Sequence, residues 1–322
     1  MEQHPESDTA DGEEGEEEEE EVGVIWTPQE ILCHGLQMMH YTEKRIKRAK
    51  TAGTNVKRFR IHFGCNPAVC AQIWEDLQKT TIDGAQIDEK DLNKDYFLGT
   101  FYFLKRYPTE EEREAKFDRS QKTIRTWHWF YIQKIQALKE AKIKWPDDNF
   151  GSDIWVMSVD GVHCAVNEPK DDDLPKKPKN YSHKYNAAGK SYELGISLSE
   201  SKLIWMNGPF DAGESDITIF RNRGLMEKLE QEGKRVIADK GYRGEPEYCS
   251  FANSIDDIDV AKFKSRARFR HERFNGMIKT FDCIGKGRFR HPGNRFKGCF
   301  EAVCVITQYQ TELGMPLFDV YI

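Results

Sequence analysis

No apolar run in this 322-residue chain approaches the ~18–20 residues that a membrane-spanning helix requires. The opening residues are acidic, not basic and then apolar, which argues against a secretory signal. No Gly-x-Gly-x-x-Gly or Walker pattern follows a strand-like run, which disfavours a doubly wound nucleotide enzyme even at Val236 to Gly244. A nucleophile elbow is missing too, which disfavours a Ser or Cys hydrolase. The eight cysteines, at 33, 65, 70, 164, 249, 283, 299 and 304, are scattered, as expected of reduced, mostly buried thiols in an intracellular protein. Cys65, Cys70 and His62 hint at a metal knuckle, but no second tight Cys/His pair stands nearby to close it.

Charge of one sign is absent from one stretch and scarce in another. Residues 1–25 contain twelve acids and no Lys or Arg. Nothing there can bury a core, so a disordered acidic tail is expected. The formal charge of −6 therefore hides a body with 48 basic and 42 acidic residues, a net +6. Residues 261–300 hold twelve Lys or Arg against only two acids, Glu272 and Asp282. So one-sided a stretch is the footprint of a phosphate-backbone partner more than of an ordinary solvated face.

Three acidic residues stand out by their settings. Asp160 ends the apolar run Ile154 to Val159 and precedes Gly161. Asp239 ends Val236-Ile237-Ala238 and precedes Lys240-Gly241-Tyr242. Such runs read as buried strands that deliver a ligand at their ends. Glu272 lies in a basic stretch with helical spacing, where Arg268, Glu272, Asn275 and Lys279 share one face. Phe274, Met277, Ile278 and Phe281 occupy another face. Two strand-end carboxylates and one helical carboxylate suit two divalent metals, Mg²⁺ or Mn²⁺, in a displacement at phosphorus. Arg268 and Lys279 would hold phosphates, as would Lys240 beside the second aspartate. Taken alone, Arg268 and Glu272 also fit a solvated i, i+4 ion pair worth ~0.2–0.5 kcal/mol.

The chain divides by pattern into residues 1–25 (tail), 26–150 (all-helical) and 151–322 (mixed α/β), with Trp145 to Ser152 at the boundary. Lys44 to Lys50 and Lys57 to Arg60 form basic clusters that suit nuclear import, DNA contact or a plain solvated face. Thr109 with Glu112 forms a capping box for a short helix closing near Asp118, and Ser120 is the next N-cap. Ile124, Trp127, Tyr131, Ile135 and Leu138 line the buried face of the helix that follows. A short helix, a turn and a longer helix make a helix-turn-helix, with Gln121, Lys122 and Arg125 opening the recognition helix. A helical hairpin that only supports the catalytic domain fits equally well. Beyond residue 151 strands are expected at 154–160, 192–198, 202–206, 234–239 and 257–262, with helices near 214–232, 265–281 and 296–312. The triplet Asp171-Asp172-Asp173 falls in a loop-like segment and reads as solvated.

The blocks Val159-Asp160-Gly161, Asp239-Lys240-Gly241-Tyr242 and Arg268 to Lys279 resemble the DDE transposases, specifically the PIF/Harbinger group and its bacterial relatives. The similarity also takes in Tyr181-Ser182-His183-Lys184-Tyr185, Leu194-Gly195-Ile196-Ser197, and Gly208-Pro209-Phe210 to Asp216. It covers roughly residues 150–312. Where some relatives carry a tyrosine seven residues before the glutamate, this chain has Ser265, and the gap between Asp239 and Glu272 leaves little room for an inserted subdomain. The resemblance implies an RNase H-like fold in which the first and fourth strands lie side by side. It also implies metal-dependent cutting and joining of double-stranded DNA, with Asp160, Asp239 and Glu272 as catalytic residues and metal ligands. It allows a separate Myb-like DNA-binding partner, a homo-oligomer, and a nuclear location if the source is eukaryotic. A domesticated DNA-binding regulator and a simple nuclease of the same fold remain alternatives.

Overall fold

The structure is a computed structural model and describes residues 24–146, 150–151, 153–167, 181–182, 186–253 and 255–321. The expected acidic tail, up to residue 23, and the Asp171-Asp172-Asp173 triplet lie outside the described residues.

The N-terminal region is helical: α1 (Pro28–Met38), α2 (Glu43–Lys47), α3 (Ala52–Phe63), α4 (Pro67–Lys79), α5 (Lys94–Arg106), α6 (Glu110–Phe117), α7 (Gln121–Ala137) and α8 (Lys139–Lys142). Its boundaries follow local chemistry. Thr27 and Thr109 both make full capping boxes, with Glu30 and Glu112, and Pro28 and Pro67 occupy first-turn positions that need no N–H. Helix α6 stops where Asp118 turns left-handed at φ +50°, and the Ser120 side chain then caps α7 by accepting from Thr123 N. Ile124, Tyr131 and Ile135 are buried along α7 as the spacing predicts. Trp127 stays partly exposed and stacks on Tyr96, while His128 and Trp129 go inside.

Strands β1 (Trp155–Ala165), β2 (Tyr181–Ser182), β3 (Ala187–Ser197), β4 (Leu203–Asp211), β5 (Arg235–Ile237) and β6 (Cys249–Ser250) form one sheet. Strand β3 lies antiparallel to β1, β2 and β4, whereas β5 runs parallel to both β1 and β6. Helices α9 (Asp216–Asn222) and α10 (Leu225–Glu232) cover one face through Phe220, Leu225 and Leu229, packed on Met157, Val159, Val236 and Ala238. Helices α11 (Ile258–Lys279), α12 (Asp282–Gly285) and α13 (Gly293–Glu312) complete the chain. Phe274, Ile278, Val303 and Ile306 lie in one cluster with Val162, Leu194 and Ile196, on the opposite side of β1. This mixed sheet, flanked by helices and preceded by a helical region, is consistent with the RNase H-like architecture expected of a DDE domain.

Three expectations fail here for visible reasons. The strand expected to end at Asp160 runs on to Ala165, held by continued pairing with β3, so Asp160 stands in mid-strand just beyond the point where β5 stops. The strand expected at 257–262 is the first turn and a half of α11, because the Asp257 side chain caps a helix by accepting from Asp259 N. Ile258, which suggested a strand, is 67% exposed, so its apolar character is not used for burial. The last strand is instead β6, only two residues long and too short to show a period. The single helix expected near 214–232 is two, separated where Gly224 adopts φ +96°.

The helical region and the sheet share one hydrophobic cluster that runs from Trp74, Phe97 and Tyr131 to Leu194 and Phe300. A buried carboxylate reinforces the junction: Glu301 accepts from Tyr192 OH at 3.2 Å and from Gln136 Nε2 at 2.9 Å, and pairs with Lys139 at 2.9 Å. Each large side chain buried there contributes about 1.5–3 kcal/mol. Among the described residues no helix is long and apolar enough to cross a membrane.

Packing is tight at the centre of β3. A methyl group on Gly195 would lie 2.4 Å from Met157 Sδ and 2.8 Å from Trp205 Cβ. Met157 can swing aside, but Trp205 Cβ is fixed to its backbone. Gly195→Ala is therefore expected to cost about 1–3 kcal/mol of stability, read from the urea midpoint at unchanged slope.

Candidate active site

Parallel pairing of β1 with β5 builds the site. The register joins Ser158 to Ile237, and two residues further along each chain stand Asp160 and Asp239. Asp160 accepts from its neighbour Gly161 N at 2.9 Å and from Asn275 Nδ2 at 3.0 Å. Asp239 accepts from Gly241 N at 2.6 Å and so caps the single 3₁₀ turn Lys240–Tyr242. Burial, followed by the neighbouring Asp239 and Asp216 charges, pushes the Asp160 carboxyl up to about 6.

Asp216 is the acid that the strand-end pattern did not single out. It opens α9 after its N-cap Ser215. Its carboxylate reaches the site because two glycines leave room. A Cβ on Gly161 would meet Asp216 Oδ1 at 2.4 Å, and one on Gly241 would meet Asp216 Oδ2 at 3.1 Å and Asp239 Oδ1 at 2.8 Å. The sequence signal was present in the glycine that follows each of the two aspartates. Its meaning, clearance for a third side chain, needs the fold.

Helix α11 is bolted across β1 by buried polar contacts. His271 Nδ1 lies 3.0 Å from Ser158 Oγ and 3.1 Å from Ser158 O, and burial pushes its imidazole down to about 4, so it is neutral near pH 7. Arg270 donates to the carbonyls of Leu198 and Glu200. With His271 and Asn275 turned inward, Arg268, Glu272 and Lys279 are exposed. Arg268 is close enough to favour the charged form of Asp160. Glu272, at 55% exposure, sits 3.7 Å from Arg268 as an i, i+4 pair. The structure thus gathers Asp160, Asp239 and Asp216 into one electrostatic cluster and leaves Glu272 on the adjoining flank, one turn from Asn275.

Other residues singled out in the sequence fall elsewhere. Lys240 is exposed in the turn after Asp239. At the start of α7, Gln121 donates to Glu114 at 2.7 Å, and Arg125 makes a two-pronged contact to Glu110 at 2.8 and 2.5 Å, while Lys122 is exposed. Two of these three side chains are thus tied to α6. Cys65 and Cys70 are buried with their sulfurs 3.5 Å apart, but His62 turns to Tyr41 OH at 3.4 Å. In the first basic cluster, Arg45 lies over the Tyr41 ring at 4.6 Å.

Residues 159–308 match the family profile described as DDE superfamily endonuclease. That stretch carries a DDE superfamily endonuclease domain, and it contains Asp160, Asp216, Asp239 and Glu272. No curated protein and no solved structure matches the chain.

Among the described residues no three His, Cys, Asp or Glu side chains already close on one point. Donor chemistry and charge nevertheless fit a hard divalent cation, because burial and the Asp239 and Asp216 charges raise the proton affinity of Asp160 and the three aspartates offer only oxygen.

Asp160 gives the site a measurable signature. Below about pH 4 both the folded and unfolded carboxyls hold their protons. As pH rises towards about 6 the unfolded state ionises first, so stability falls, and above the folded value the penalty is constant. In EDTA, Asp160→Asn is expected to be more stable than the wild type above pH 6, with the difference vanishing below about pH 4. Urea unfolding across that range tests the sign.

Proposed function

We propose that this protein is a DNA transposase of the PIF/Harbinger type, cutting and joining strands through Asp160, Asp239 and Glu272. The observation that carries this reading is the meeting of Asp160, midway along β1, with Asp239, just past the end of the parallel strand β5, inside the matched endonuclease stretch and beside a basic helix flank. In this reading Asp160, Asp239 and Glu272 would hold two Mg²⁺ or Mn²⁺ ions. Ions so held would supply Lewis acidity and a more acidic water at the phosphodiester.

The chain's own groups then have separable tasks. Asn275 orients Asp160 by donating to one carboxylate oxygen, and Gly161 N holds the other. Arg268, Lys279 and Lys240 are exposed cations flanking the aspartates, suited to the phosphates on either side of the bond to be cut. The buried His271–Ser158 contact fixes the helix that carries Arg268 and Glu272 against the strand that carries Asp160. A separate Myb-like partner and self-association belong to the same reading. The alternative is a descendant that binds DNA without cutting it, in which Glu272 would serve only in its exposed ion pair with Arg268.

Two variants separate these readings. Glu272→Gln keeps shape and removes charge, so it is expected to abolish nicking of supercoiled DNA in Mg²⁺ while leaving DNA affinity equal or higher. Lys279→Ala is expected to weaken binding and lower the salt slope by about 1, with residual cutting at high substrate concentration. Nicking by Glu272→Gln at the wild-type rate would remove Glu272 from the ligand set.

For the α6–α7 pair, Arg125→Ala in the full chain is expected to weaken sequence-preferring DNA binding at a stability cost below about 1 kcal/mol, since the Glu110 pair is exposed. Undiminished binding in a gel-shift competition assay would make α7 a scaffold helix.

A further inference from the structure

Two faces of the sheet contribute to the cluster of acids, and only one face is used by the three residues assigned above. Side chains alternate along β1, so Ser158 and Asp160 point towards α11, while Met157 and Val159 point towards α9 and α10. Gly161 falls on the second face, and the carboxylate of Asp216 occupies the space where its side chain would stand. Directly across the antiparallel register from Gly161 is Glu193, 1% exposed. Its Oε2 accepts from Trp205 Nε1 at 3.0 Å, and its Oε1 has no hydrogen-bond partner. Tyr242, also 1% exposed, likewise has an unpartnered hydroxyl, and it lies in the field of Glu193, Asp216, Asp160 and Asp239 together. Burying a carboxyl oxygen and a phenol without partners costs free energy that a purely structural layer would avoid by using apolar side chains.

We propose that Asp216 is a further cation-binding carboxylate of this site, reaching it from the α9 face through the gap left by Gly161 and Gly241, with Glu193 and Tyr242 as the polar floor beneath it. Asp216 Oδ2 and Asp239 Oδ1 both lie close to the point where a Cβ on Gly241 would stand, so one cation can face both. This placement rests on the metal-dependent reading above, and it makes a distinct claim. Asp160 on β1, Asp239 after β5 and Glu272 on α11 do not complete the ligand set alone.

The inference predicts opposite signs for metal-free and metal-bound protein. In EDTA, Asp216→Asn removes one of several like charges and is expected to raise the melting temperature of the full chain. With Mn²⁺ titrated in, the same variant is expected to bind about tenfold or more weakly, by calorimetry or by loss of the free Mn²⁺ electron-spin-resonance signal. An acid that merely favours the first turn of α9 would behave otherwise, lowering the metal-free melting temperature when neutralised and leaving Mn²⁺ affinity unchanged. Gly161→Ala is the second variant, useful if Asp216→Asn does not fold. It retains every carboxylate but drives a methyl into Asp216 Oδ1, and should weaken Mn²⁺ binding to a similar degree. Wild-type Mn²⁺ affinity in either folded variant, alongside loss in Asp160→Asn, overturns the role of Asp216 and leaves the three-residue reading standing. Failure of the wild type itself to bind Mn²⁺ saturably overturns the metal-dependent reading and this inference together.

Discussion

The parallel pairing of β1 with β5 is the constraint on which the remainder of the molecule depends. Only three residues of β5 take part, yet they fix Asp239 beside Asp160, two acids 79 positions apart in sequence. Parallel strands cannot be joined by a tight hairpin, and the chain between them must cross over the sheet. Here that crossover includes β3, β4, α9 and α10, and the start of α9 brings Asp216 back to these two acids. Burial, together with the like charges gathered this way, raises the proton affinity of Asp160, an electrostatic cost. In the proposed function a bound cation would relieve that cost.

Helix α11 translates that constraint into a surface. Its inward face combines apolar residues, Phe274 and Ile278, with two polar side chains, His271 and Asn275, that bond directly to β1. Its outward face is cationic and exposed. The same helix therefore supports the acids and displays a positive flank next to them, the pairing of roles needed by a protein that handles a phosphate backbone. Being neutral, His271 can hold Ser158 without adding charge beneath Asp160.

The N-terminal helices are bound into this arrangement and do not stand apart from it. Helix α7 packs against α13, and the buried Glu301 collects Tyr192 from the sheet, Gln136 from α7 and Lys139 from α8. A buried carboxylate with three donors is satisfied, and removing one partner would leave it under-satisfied in a low-dielectric setting. Helices α7 and α8 are thus tied through Glu301 to Tyr192 on β3, the strand that pairs with the one carrying Asp160.

The amino-acid sequence by itself determined the local elements and the nature of the chemistry. The capping box at Thr109, the Ser120 cap, the buried runs before Asp160 and Asp239, and the exposed flank of Arg268, Glu272 and Lys279 follow from local spacing, whereas Asn275, expected on that flank, turns inward to Asp160. Periodicity reports such neighbours because they are close in sequence. Tertiary structure alone decided what met across long separations: Asn275 on Asp160, Asp216 in the gap of Gly161, and Glu193 opposite that gap. It also decided two local matters that periodicity misjudged. Asp257 starts a helix where Ile258 and Val260 suggested a strand, and two residues of β6 suffice as a strand because β5 supplies their partners. A glycine after each of the two aspartates states that room is needed, but which side chain fills the room is settled by the crossover that returns it, and no local pattern encodes that path.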